Sequence, residues 1–123
     1  MNCTYDYVKK AHDLSEKGFE EKNSANALPK IAAEYFAKSG DAFLICHQYG
    51  NAAGMYEFAA DSYFEDGSFS DCRRCLWNAA KCHLKRETAA SLEKIKSAEK
   101  NIERALKISE ELSSANTNGI LCE

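Results

Sequence analysis

The stretch YEFAADSYFEDGSFSDCRRCLWNAAKC, residues Tyr56 to Cys82, decides the fold. Tyr56, Ala59, Ala60 and Tyr63 recur at helical spacing before Gly67, and Phe69, Cys72, Leu76 and Ala79 do so after it. Two such apolar faces joined by a Gly-Ser turn describe amphipathic helices folded back on each other as a hairpin. Small residues stand where the helices would touch, so the hairpin is built to stack on another. A module of this kind exposes a surface for a partner more readily than it builds a catalytic centre.

Working outward, Gly67 is expected to end the first helix of the pair, and Ser68 with Asp71 reads as a capping box for the second. Upstream, Ala42, Ile45 or Cys46, Tyr49, Ala52 or Ala53, Tyr56, Ala59 or Ala60 and Tyr63 continue one apolar stripe. Either one helix spans residues 41–66, or Gly50-Asn51 breaks it. Before that, Leu28, Ile31, Ala32, Tyr35 and Phe36 predict a helix that begins with Pro29 in its first turn and stops at Ser39-Gly40, with Gly40 as its C-terminal cap. The first helix is read from Thr4, an N-cap, to Lys22, with Tyr7, Val8, Ala11, Leu14 and Gly18 on one face. A last helix over residues 88–113 directs Leu92, Ile95, Ala98, Ile102, Ala105, Leu106 and Leu112 inward and Lys and Glu outward.

The fold class is therefore all-α, with about five antiparallel helices. Proline occurs once and β-branched residues are sparse, which leaves strands little to build on. With 123 residues the chain fits a single domain, expected over residues 1–113. Irregular repeat units are read at about 28–52 and 53–85, residues 88–113 cover the array, and 114–123 form a flexible tail.

Tyr63, Gly67, Phe69, Cys72 and Ala79, with the pair Ala59 and Ala60, resemble a tetratricopeptide repeat: aromatic and small residues, a turn glycine, an aromatic, then small residues again. Ala32, Ala33, Phe36, Gly40 and Ala52 echo the pattern. The turn glycines Gly40 and Gly67 lie 27 residues apart, where that family spaces its units by about 34. Ala-rich helical pairs of uneven length are similar to the array of soluble NSF-attachment proteins (SNAPs), over about Ile31 to Lys85. That resemblance implies a non-catalytic adaptor or scaffold working in vesicle transport on SNARE bundles.

Charge is unevenly placed. From Asp41 to Asp71 there are six acids and no Lys or Arg, whereas from Cys72 onward ten Lys and Arg face seven acids. Glu57, Asp61 and Glu65 recur every four residues, an acidic stripe expected to line a groove for a basic peptide or helix. Arg73, Arg74, Lys81 and Lys85 form the candidate basic face. No nucleic-acid recognition motif accompanies it, so nucleic acid is not an expected partner and membrane contact is peripheral at most.

Six cysteines would suit a disulfide framework, but Cys46, Cys72, Cys75 and Cys82 fall on or beside apolar helix faces, so reduced thiols in a cytoplasmic protein are expected. Cys72, Cys75, Cys82 and His83 are the candidate metal ligands, yet they crowd within about three turns of one helix, and core packing accounts for them better than zinc. His12, His47 and His83 lack the spacing of helical metal pairs, and no nucleophile has a readable base or phosphate loop. The reading is therefore no enzyme and no cofactor. Its alternatives are a self-assembling bundle that buries the 42–63 stripe between chains, as a homodimer for instance, and a zinc- or thiol-dependent regulator.

Overall fold

The computed structural model describes residues 3–86 and 91–122, and the side chains of 3–86 and 96–113. Its helices are α1 (Tyr5–Lys22), α2 (Pro29–Ile45), α3 (Tyr49–Asp66), α4 (Phe69–Lys85) and α5 (Ser91–Cys122), and no strand occurs among the described residues. The chain is all-α. Several boundaries follow from local chemistry. The Thr4 hydroxyl accepts from the Tyr7 amide at 3.3 Å and caps α1. Pro29 opens α2 where its missing amide proton costs nothing. Gly67, at φ 82°, takes the left-handed conformation that closes α3.

Other boundaries move. The helix expected to stop at Ser39-Gly40 runs on to Ile45, and the break in the long stripe falls at Cys46 to Gln48, ahead of Gly50-Asn51. There His47 turns the chain at φ 56°, a region where His is among the more tolerant residues, and its Nδ1 lies 3.1 Å from the Tyr49 hydroxyl. Gly40 sits inside α2 because an aromatic ring approaches it: a Cβ there would stand 2.9 Å from Tyr56 Cε1. The capping box does not form, since the Ser68 hydroxyl donates to Asp66 Oδ2 at 2.6 Å and no side chain caps α4. At the far end, α5 continues to Cys122 through the segment expected as a tail, while Thr88 lies outside the described residues. The unit boundary expected between 52 and 53 falls within α3.

Each helix packs on the next in sequence, α1 on α2 through to α4 on α5. Small residues make the approach close. Ala32, Ala33, Ala52, Ala53, Ala59, Ala60, Ala79 and Ala80 are all buried, and a Cβ at Gly18 would meet the Phe36 ring at 2.7 Å. Phe19, Phe36 and Phe58 join α1, α2 and α3, with ring centroids 4.9 to 5.4 Å apart. The buried Ser39 hydroxyl donates to the Ala11 carbonyl at 2.7 Å and ties α2 to α1. Along the apolar stripe from Ala42 to Tyr63, Ala42, Ala52, Ala53, Tyr56, Ala59, Ala60 and Tyr63 are buried within the chain, while Ile45, Cys46 and Tyr49 are half-buried. On α5, Ala98, Ala105 and Ile108 are buried, whereas Leu106, expected inward, is 52 % exposed.

The expectation of reduced thiols fails at Cys46, which is disulfide-bonded to Cys3. The α1–α2 hairpin brings the residue before the Thr4 cap beside the end of α2, with Cα atoms 4.7 Å apart, a separation that a disulfide spans. Cys72, Cys75 and Cys82 are free and buried, in keeping with the packing role read for them.

Candidate functional site

Three places gather the residues singled out from the sequence. The first is the acidic stripe of α3. Glu57 points into the seam with α4 and α5: Asn101 Nδ2 donates to its Oε2 at 2.9 Å, and His83 Nε2 lies 3.6 Å from its Oε1. Asn101 is 3 % exposed, and neither His83 ring nitrogen has a hydrogen-bond partner. Asp61 accepts from Arg104 at 3.2 Å but keeps a side chain 57 % exposed, and Glu65 is exposed. The stripe therefore splits. Its first carboxylate holds α5, its second is shared, and its third is open. Helical spacing places Asp61 and Glu65 between Phe58, whose ring meets Phe19 of α1, and Phe64, which faces α5.

The second place is where α3 and α4 turn beside α5. Phe64 and Phe69 are 48 % and 38 % exposed, with ring centroids 5.3 Å apart. A cleft of about 220 Å³ lies between Phe64, Arg104, Lys107, Ile108 and Glu111, and a second of about 170 Å³ lies between Phe69, Ile108, Glu111 and Leu112. The two share Ile108 and Glu111, so apolar walls continue past the turn under a charged rim. Sequence reasoning placed Phe69 in the repeat pattern but did not find the cleft, because its far wall comes from α5 and no local signal pairs the two.

The third place is α4. Its candidate basic residues do not form one cluster: Arg73 turns toward α5 and donates to the Ser109 hydroxyl at 3.3 Å, and Arg74 pairs with Asp71 at 3.1 Å on its own helix. Lys81 and Lys85 remain exposed. On the opposite side, burial pushes the Cys72 and Cys82 thiols up, and the Cys75 thiol up to about 12, against the lowering pull of Arg74. Thiols that hold their protons this firmly are poor nucleophiles at neutral pH. Among the described residues, no group of three or more His, Cys, Asp or Glu is placed to hold a metal ion. Nearby, Tyr56 Oη donates to Asp41 Oδ1 at 2.6 Å, and burial followed by that bond raises its hydroxyl well above its usual range.

Among the described residues no helix is long and apolar enough to cross a membrane. Comparison of the chain with protein-family models, curated proteins and solved structures finds no match.

Proposed function

We propose that the chain is a non-catalytic protein-interaction module, an adaptor or scaffold of tetratricopeptide-like build that receives a basic peptide or helix on the α1–α3–α5 side. One observation carries this reading: Asp61 and Glu65 remain exposed on α3 between its contacts with α1 and α5, next to the apolar clefts at Phe64 and Phe69. Exposed aromatic rings beside apolar hollows with a charged rim are what a partner helix uses as anchors, while the carboxylates set its orientation and on-rate. The specific version of the reading, by resemblance, is a SNARE-directed adaptor in vesicle transport, working in the cytoplasm. The Cys3–Cys46 bridge pulls against a reducing compartment, and its state in cells quenched with an alkylating agent decides between the two.

The test is affinity capture with the wild type, Glu65→Lys and Phe64→Ala, with circular dichroism as the control for folding. Glu65 has no role in the seam with α5, so its reversal should leave the helical array intact and release partners that carry basic helical segments. Equal capture by the wild type and Glu65→Lys would overturn the groove assignment.

A further inference from the structure

The outward face of α4 has a composition that neither the helical packing nor the groove on α3 uses. At about 100° per residue, Leu84, Trp77, Ser70, Lys81, Arg74 and Lys85 fall within an arc of about 100°. Trp77 is 38 % exposed and Leu84 61 %, and Lys81 and Lys85 are exposed. No carboxylate lies within the arc, and Asp71, at its edge, is paired with Arg74. On the opposite side Cys72, Cys75, Leu76, Ala79, Ala80 and Cys82 are buried, so the helix cannot rotate to hide its Trp.

We propose that this face docks on an anionic phospholipid surface. Trp and Leu flanked by Lys and Arg, with no acid among them, is the arrangement of an interfacial helix: the indole sits at headgroup level with its N–H wetted, the leucine dips below, and the cations meet the lipid charge. An acidic partner helix is the less suitable occupant, because a helix seats in a groove and neither cleft described above is lined by Trp77, Lys81, Leu84 or Lys85. A convex stripe suits a broad charged surface. The inference does not depend on the α3 groove, so either can fail without the other.

Trp77 is the single tryptophan of the chain, which makes it a reporter already in place. The full chain is mixed with phosphatidylcholine vesicles, with and without phosphatidylserine, while Trp emission and vesicle cosedimentation are followed. The expected result is a blue shift and loss of acrylamide quenching only with phosphatidylserine, reversed by high salt. Lys81→Gln and Lys85→Gln should each weaken partition about fivefold at unchanged helicity, and Leu84→Ser should weaken it further. Three results would overturn the proposal: no spectral change on anionic vesicles, a change that Lys81→Gln with Lys85→Gln leaves intact, or a change produced by an acidic helical peptide but by no vesicle.

Discussion

Replacing Cys3 and Cys46 together by Ser removes the disulfide that ties the residue before the α1 cap to the end of α2. The bridge closes a loop across 43 residues of sequence. In the chain-entropy account, opening a loop of that size returns about 13 cal/mol/K to the unfolded ensemble, or about 4 kcal/mol at room temperature. Against a total stability of about 5–15 kcal/mol, this is a large fraction. For a chain of this length it corresponds to a fall in Tm of roughly 12–20 °C, or of about 2 M in the urea midpoint at an m-value near ~2 kcal/mol/M. The assay is urea unfolding followed by circular dichroism on the wild type with and without a thiol reductant, and on the double Ser variant. Alkylation and peptide mapping of native, unreduced protein identify which cysteines are free. The expected outcome is that reduced wild type and double variant coincide, both well below the oxidised protein. Coincidence of all three curves, with Cys3 and Cys46 both alkylated in the unreduced protein, would refute the reasoning.

Gly40→Ala sets a Cβ at 2.9 Å from a Tyr56 ring that is buried and held by Asp41, so a net loss of about 1–3 kcal/mol is expected in thermal melts, despite alanine's better helix propensity. Gly54→Ala, whose Cβ meets nothing within 4 Å, should instead gain about 0.5–1 kcal/mol; a loss at both sites would show that propensity and packing had been misjudged. Alkaline pH should destabilise the fold: Cys75 keeps its proton to about 12 when folded, against 9.0 when unfolded, so the native state binds more protons in that window and stability falls as pH rises through it. The three-unit gap is worth about 4 kcal/mol at its upper end, the loss is absent below about pH 8, and Cys75→Ala should make the profile measured by urea midpoints shallower, leaving the share carried by Cys72, Cys82 and Tyr56. Asn101→Ala leaves the Oε2 edge of Glu57 unmatched and should cost about 1–3 kcal/mol; an unchanged melt would mean that the seam between α3 and α5 does not depend on this hydrogen bond.

Much of the helical order was legible because its signals are local. Thr4, Pro29 and Gly67 act within a few residues of themselves, and each marks a boundary that the structure keeps. The misreadings share one cause, which is that the deciding partner lies far along the chain. Gly40 after a serine looks like a helix stop, and only the Tyr56 ring explains why it is a glycine in mid-helix. His47 carries the actual break, without the glycine or proline that would announce one. Cys3 and Cys46 have no sequence signal linking them until α1 and α2 fold back together. For the candidate site, the four-residue period of Glu57, Asp61 and Glu65 was readable, but which carboxylate α5 would occupy was not, since Asn101 and Arg104 sit in a helix read only as an outer cover. Arg73, Arg74, Lys81 and Lys85 were grouped by proximity in sequence, whereas the turn of the helix sends Arg73 to α5 and leaves the lysines beside Trp77.

The bridge at one end of a row of helices that touch largely in succession gives the molecule a mechanical direction. A pulling force applied between residue 3 and the end of α5 loads the seam of Asn101, Arg104 and Ile108, and no disulfide among the described residues lies behind it. Peeling then proceeds helix by helix toward α2, because each helix that leaves uncovers the next. It ends at Cys46. The residues between Cys3 and Cys46 add no extension while the disulfide holds, so only the chain beyond the tether lengthens, and a thiol reductant adds one further step to the trace.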